Sequence, residues 1–190
     1  MIVATVGVGS ASATVLCANN TSPCTSPYAK GTAIKASLKA GTSARMLAGF
    51  AEVTCAQSTI SGSTATAGSS TETVRGLPAS WETGSCNMTV DVIKMGELEI
   101  HHIAGTSAGT LIGKGSEVTV SNFGVHCIYG TVNGTHLGKL TGSSETGGTA
   151  TIQASANMAK VAGGFLCANP AQWNAEYVLS TPDALNVKAS

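Results

Sequence analysis

Short segments in which polar and apolar residues alternate recur along most of the chain. Successive side chains of a β-strand point to opposite faces, so this alternation is typical of strands that bury one face. Gly, Ser, Pro and Asn residues separate the segments, which indicates tight connections. The predicted strands are Thr32–Leu38, Val53–Ile60, Met88–Met95, Leu98–Ile103, Glu117–Ser121, Val125–Val132, Thr149–Ala156 and Trp173–Ser180.

Many short strands predict an all-β protein, an antiparallel sandwich or barrel. Asn133-Gly134 lies between the strand-like stretches Ile128–Val132 and Thr135–Leu140. It predicts a two-residue hairpin, because both residue types tolerate positive φ. The only predicted helical piece is a short turn around Asn157–Ala162. The same strand texture continues across the Ser/Thr/Gly-rich stretches, so we predict a single β domain over residues 14–190.

The first residues of the chain resemble the end of a secretion signal. Ile2 to Val8 is apolar, and Ala11-Ser12-Ala13 has the small-x-small form that signal peptidases cleave, although no Lys or Arg precedes it. We interpret residues 1–13 as the remnant of a secretion signal. An N-terminal β-strand is the alternative, because Val3, Thr5 and Gly7 alternate with Ala4, Val6 and Val8.

Sparse charge excludes the usual electrostatic partners. Charged residues make up 11% of the chain, and ten basic residues balance ten acidic ones, whereas an ordinary domain has roughly 25% charged residues. Nucleic acid is therefore not expected as a partner. No stretch is as long as the roughly 18 apolar residues of a membrane-spanning helix. A surface of Ser, Thr and Gly repels its neighbours weakly, so association with itself or with cell-surface and matrix components is expected.

The cysteine count supports export. Six cysteines in a chain with a signal-like start are typical of a disulfide framework, which predicts a secreted or cell-surface protein. Fifteen pairings are formally open, and we predict pairing in sequence order because it closes the shortest loops. No close C-x2-C pair is present, which argues against a zinc site. The predicted pairs are Cys17 with Cys24, Cys55 with Cys86, and Cys127 with Cys167.

Adjacent histidines at positions 101 and 102 suggest a metal site, but strand geometry opposes it. Neighbouring strand residues point to opposite faces, so His101 and His102 cannot converge on one ion. Glu97, Glu99 and His101 share a face, but their spacing of about 7 Å is wide for a zinc site. We predict a solvated face of Glu and His opposite a buried face that includes His102, with neither a metal nor a cofactor bound.

Gly105-Thr106-Ser107-Ala108-Gly109 matches the G-x-S-x-G pattern of serine hydrolases. That pattern works only at a turn from a strand into a helix, and the residues that follow here are strand-like. The hydrolase order of serine, acid and histidine along the chain is also not met, because no histidine follows Glu176 or Asp183. We therefore predict a turn, with no base paired to Ser107, and a protein that is not an enzyme.

Few aromatic residues are available for ligand binding, since they make up 4% of the chain. Trp173 and Tyr177 are four residues apart in a strand pattern and share a face, which favours packing in the core or at a sheet edge. Trp81 follows Gly76-Leu77-Pro78 and is placed at the end of a sheet. These three side chains, Trp81, Trp173 and Tyr177, are the candidate ligand-binding residues.

Several stretches carry a resemblance to known proteins: "TVLCANNTSPC", "GTAIKASLKAGTSA", "EVTCAQSTISG", "RGLPASW" and "GGFLCANPAQWNAEYVLSTPDALNVKAS". From Thr14 onward the chain resembles uncharacterised secreted β-rich proteins of actinobacteria, and more loosely the family named for a protein activator of alkane oxidation. The first resemblance implies export and a disulfide-bonded β fold. The second implies a secreted or surface accessory protein of biofilms, with no catalytic residues.

Two functions follow as expectations. The first is a non-catalytic extracellular protein that associates with a surface or matrix, including with itself through sheet edges. The second is a secreted ligand-binding module for a carbohydrate or a small apolar molecule. An aromatic-lined groove would favour the second.

Overall fold

The protein is all-β, as the alternation predicts. A computed structural model describes residues 13–49, 51–69, 74–132 and 134–190, with the backbone alone for Arg75, residues 77–79 and Trp81. Residues 1–12, and with them most of the predicted signal remnant, lie outside the described residues. The strands are β1 Thr14–Cys17, β2 Ala33–Leu38, β3 Ala44–Ala48, β4 Ala51–Thr64, β5 Val74–Cys86, β6 Thr89–Lys94, β7 Glu97–His102, β8 Gly109–Lys114, β9 Glu117–Asn122, β10 Val125–Gly130, β11 Thr135–Thr141, β12 Thr151–Gly163, β13 Ala171–Thr181 and β14 Asn186–Ala189.

Twelve of these strands form one antiparallel sheet that closes on itself. Pairing runs in turn through β2, β4, β5, β7, β8, β11, β12 and β13, and β13 pairs again with β2. The sheet is therefore a barrel. Strands β4, β5, β12 and β13 run along its whole length, whereas β2 and β3 lie end to end along β4. The pairs β6 and β7, β8 and β9, and β10 and β11 continue one another in the same way.

The hairpin predicted at Asn133-Gly134 is wrong. Strands β10 and β11 do not pair with each other, because both run antiparallel to the β8–β9 line on one side and to β12 on the other. Asn133 itself lies outside the described residues, and Gly134 has φ of 85°. The positive φ thus lies in the irregular connection between β10 and β11, which continue in the same direction, and not in a turn that reverses the chain.

The predicted helical turn is also wrong. Asn157–Ala162 belongs to β12, where Met158 is buried and Asn157 is exposed. Alternating burial and pairing on both sides override the helix-favouring Ala, Met and Lys residues of this stretch. The helix of the described chain is α1, Ser143–Thr146, in the Ser/Thr/Gly-rich connection before β12.

A two-stranded ribbon closes one end of the barrel, called here the ribbon end. Strand β1 pairs with β14 from Thr14 opposite Ala189 to Cys17 opposite Asn186. All four residues of β1 are buried. The Cys17–Cys24 disulfide holds the loop that leaves this ribbon.

The opposite end, called here the tip end, carries the connections from β3 to β4, β5 to β6, β9 to β10, and β12 to β13. Two disulfides lie near it, Cys55–Cys86 and Cys127–Cys167. Cys55 and Cys86 are register partners in β4 and β5, and Cys127 is the register partner of Gly163 at the end of β12. All three predicted pairings are confirmed.

The wall is incomplete on one side of the tip half. In the part of the chain that the structure describes, β5 pairs with β7 from Val74 to Gly76 and not beyond. The ladder ends two residues before Pro78, which has no N–H to donate. Beyond Gly76, no backbone ladder in the described chain joins β5 to β6, and a 3.4 Å contact from the Thr83 hydroxyl to the Val90 carbonyl bridges the gap.

Candidate functional site

An apolar cavity occupies the ribbon half of the barrel. Its volume is about 150 Å³. Leu16 of β1 and Leu185, just before β14, close it at the ribbon end, and Met158 and Trp173 lie toward the tip half. The inward faces of the wall strands supply the remainder, among them Ile34, Ala36, Ile60, Leu98, Ile100, Leu111, Leu137, Leu140, Ile152, Ala154, Tyr177 and Leu179.

No charged side chain lines this cavity within the described part of the chain. The polar lining residues are few, and two of them satisfy each other: the Ser116 and Thr131 hydroxyls are 2.9 Å apart. Cavities of about this volume with aliphatic and aromatic walls stay dry and accept molecules of the size of benzene. The chemistry of the walls therefore fits a small hydrocarbon-like ligand.

Two of the three predicted ligand-binding aromatics line the cavity. Trp173 and Tyr177 are both buried, on the inward face of β13. The Tyr177 hydroxyl lies 3.0 Å from that of Ser58, which removes its polar end from the apolar space. Because both rings are inside, they do not form the exposed platform that sugar binding uses. The side chain of Trp81 lies outside the described residues.

The cavity lining extends to the place where β5 separates from β7. Gly76, Met95 and Leu98 all line the cavity at this place. Met95 and Gly96 join β6 to β7, and Gly96 has φ of 68°. A ligand that crosses the wall here would break few backbone hydrogen bonds, since three residue pairs join β5 to β7 within the described residues.

The structure is consistent with the prediction that Glu99 and His101 lie on the outer face of β7 and the neighbouring residues on its inner face. Leu98 and Ile100 line the cavity, whereas Glu99 lies on the outer face, 2.6 Å from Lys114 and 3.5 Å from His101. The hydrogen bond from Lys114 is the main cause that holds the pKa of Glu99 below its usual value, against the opposing effect of burial. The His102 ring instead contacts the carbonyl of Thr106 at 2.9 Å.

Ser107 is buried in the turn after β7, where its contacts differ in part from the prediction. Its hydroxyl lies 2.7 Å from that of Ser144 and donates to Glu145 Oε1 at 3.1 Å. The expectation that no base pairs with Ser107 is therefore wrong, because the Glu145 carboxylate accepts the hydrogen bond of its hydroxyl. The partner is this carboxylate and not a histidine. Asn186 accepts from the Ser144 hydroxyl at 2.7 Å. These contacts tie the turn, α1 and β14 together across the ribbon end.

The sequence pattern missed two features of this site. Glu145 lies 38 residues from Ser107, in a connection that shows no periodicity. The cavity walls come from ordinary core positions of eight strand lines, which alternation cannot distinguish from a fully packed core. Within the described residues, no three His, Cys, Asp or Glu side chains are grouped so that they could hold a metal ion.

No family model, no curated protein and no solved structure matches the chain. The resemblance to secreted actinobacterial proteins and to the activator family therefore stays a prediction. Three intrachain disulfides are typical of extracellular proteins. Across the described residues, no helix has the length and apolar character needed to cross a membrane.

Proposed function

We propose that the protein is an extracellular, non-catalytic module that binds a small apolar molecule inside its barrel. The observation that carries the proposal is the cavity of about 150 Å³ with walls of Leu, Ile, Met, Trp and Tyr side chains. Apolar walls offer a hydrocarbon ligand burial without the cost of leaving polar groups unpaired. A carbohydrate is the less suitable ligand, because its hydroxyls would find few partners there.

Filling the cavity should abolish this binding. Ala36 lines the cavity on β2, so Ala36→Leu places a larger side chain in the space that the ligand needs. The matched control is Ala56→Leu on an exposed position of β4. Benzene, titrated by calorimetry and by the rise in unfolding temperature, should bind the wild type and A56L, and A36L should lose at least about tenfold in affinity.

Two results would contradict the proposal. Equal benzene affinity in A36L and wild type would show that the ligand lies elsewhere, provided that A36L unfolds as cooperatively as A56L. Binding of glucose at concentrations similar to those of benzene would also contradict it, because the ligand site would then lie on a polar surface and not in the cavity. Quenching of Trp173 fluorescence by iodobenzene, compared with a Trp173→Phe variant, reports whether the probe reaches the cavity.

A second candidate function is association at a surface or matrix through sheet edges, in line with the sequence expectation. Closure of the barrel covers most edges, but among the described residues β6 pairs with β9 alone and β5 beyond Gly76 pairs with β4 alone. Backbone groups of these two edges face the gap in the tip half. Open strand edges are sites for strand addition from another chain, and the exposed charges on this pair of strands are Glu82, Asp91 and Lys94.

A charge placed on this edge should reduce association if the edge carries it. Ile93 of β6 is 48% exposed and Leu47 of β3 is 38% exposed. Leu47 pairs with β4 on one side and with β13 on the other, so it does not lie on an edge. Ile93→Lys should lower the apparent mass in light scattering over a wide concentration range, whereas Leu47→Lys should not. The same comparison with and without residues 1–13 tests whether the N-terminal segment supplies the added strand. A monomer in every form would remove this candidate.

A further inference from the structure

Large exposed apolar side chains are concentrated in the tip half of the barrel. Seven such side chains are exposed among the described residues, and all except Val132 belong to the tip half: Leu47, Ile93, Phe123, Val161, Phe165 and Leu166. Single exposed apolar residues are ordinary on a protein surface, but their collection at one end marks an interaction site.

Two phenylalanines stand at separate tips of this end. Phe123, in the connection from β9 to β10, is 99% exposed, and Phe165, in the connection from β12 to β13, is 95% exposed. The two connections are neighbours, because Cys127 of β10 pairs with Gly163 of β12 and the Cys127–Cys167 disulfide joins them. The third phenylalanine of the chain, Phe50, lies outside the described residues.

The backbone at Phe123 argues that folding does not require this side chain. Its φ is 45°, in the left-handed region that Gly and Asn adopt with less strain than a bulky residue. A bulky residue that is strained and also fully exposed contributes no core contact in return. Such outliers cluster at sites where a function holds the residue in place.

The tips carry no charge. The connections at residues 87–88, 123–124 and 164–170 contain no Asp, Glu, Lys or Arg. Arg45 with Glu52 and Lys94 with Glu117 form ion pairs on the outer wall. The Lys160 ammonium donates to the Cys167 carbonyl, in the connection that carries Phe165, at 3.2 Å. This end therefore offers apolar side chains without the cluster of basic residues that binding to an anionic surface uses, which favours an uncharged partner.

The apolar surface area of the tips favours a lipid interface over a protein as the partner. Two phenylalanine side chains bury at most about 500 Å² together, and a stable protein interface needs roughly 800 Å² from each partner. Separate tips also lack the continuous surface that shape complementarity requires. A lipid interface adapts to separate side chains and accepts aromatic rings at the level of its headgroups.

We propose that the tip end of the barrel binds reversibly to an uncharged lipid surface by inserting Phe123 and Phe165. This inference does not rest on the cavity proposal, since the residues that carry it lie outside the cavity lining.

The test is partition of the intact, oxidised protein onto phosphatidylcholine vesicles, measured by cosedimentation. Phe123→Ser and Phe165→Ser should each lower the partition coefficient by about tenfold, since burial of one such ring is worth a factor of this order or more. The matched control is Val132→Ser, an exposed apolar residue away from the tips. It should bind like the wild type. Because the tip connections contain no charged residue of their own and no basic cluster adjoins them, binding should change little with added salt or with phosphatidylserine.

Three outcomes would overturn the inference. One is the absence of wild-type binding to phosphatidylcholine vesicles at any accessible lipid concentration. Another is equal partition of the two serine variants and the wild type. The third is a dimer in light scattering that both serine variants abolish, because the tips would then serve a second copy of the chain. A Phe165→Trp variant gives an independent measure, since its emission should shift to the blue on vesicles.

Discussion

Gly138→Ala is expected to destabilise the fold by about 4 kcal/mol, from an added clash and a strained backbone together. Gly138 lies in β11 opposite Ala154 of β12, with φ of 145°. A Cβ at this position would lie 2.0 Å from the backbone oxygen of Gln153 and 3.0 Å from the Cα of Ala154. Those atoms belong to a strand backbone that pairs on both sides, so they cannot move aside as the end of a side chain can.

The matched control is Gly148→Ala. Gly148 has no atom within 4 Å of the added Cβ, so its substitution should change stability by less than about 0.5 kcal/mol. Denaturant unfolding of both oxidised variants measures the difference. A loss below about 1 kcal/mol for G138A would mean that β11 and β12 do not pair in this register, because the clash would then be absent. The expected loss of about 4 kcal/mol is a large part of a total stability of about 5–15 kcal/mol.

Alternation predicted the wall strands where one face is buried and the other is wet. In β13, Trp173, Ala175 and Tyr177 are buried and the residues between them are more exposed. Strand β5 was missed because Gly76 and Pro78 interrupt its pattern. Those residues are tolerated there because the ladder to β7 ends at Gly76. The ribbon strands β1 and β14 were missed because four residues are too few to show a period.

Closure of the barrel was not predictable from local pattern. The pairing of β13 with β2 joins residues more than 130 positions apart, such as Tyr177 and Leu38. Local alternation sets which face is buried, but it does not specify whether a sheet curls into a barrel or packs against a second sheet. The cysteine pairing was predicted because the number of cysteines is even and pairing in sequence order closes the shortest loops. The cavity and the apolar tips depend on closure, so they appeared only with the structure.

Removal of a long-range disulfide is expected to cost nearly as much as the glycine substitution. The chain-entropy model relates the cost to the length of the closed loop, and the sequence separations are 7, 31 and 40 residues. It gives about 2 kcal/mol for Cys17–Cys24 and about 4 kcal/mol for each of the other two. Paired Cys→Ala variants, unfolded by denaturant, test this order without leaving a free thiol.

The two long-range bridges should nevertheless differ in what else they change. Cys55 and Cys86 are directly opposed in the β4–β5 ladder, so backbone pairing holds the same residues together when the bridge is removed. Cys127–Cys167 instead holds the connection that carries Phe165 against β10. Amide exchange in residues 164–170 should therefore rise strongly in C127A/C167A and little in C55A/C86A, although both lose similar stability. Equal exchange in the two variants would show that backbone contacts alone hold this connection in place. A larger loss of stability in C17A/C24A than in either would contradict the loop-entropy account, because the shortest loop has the least entropy to release.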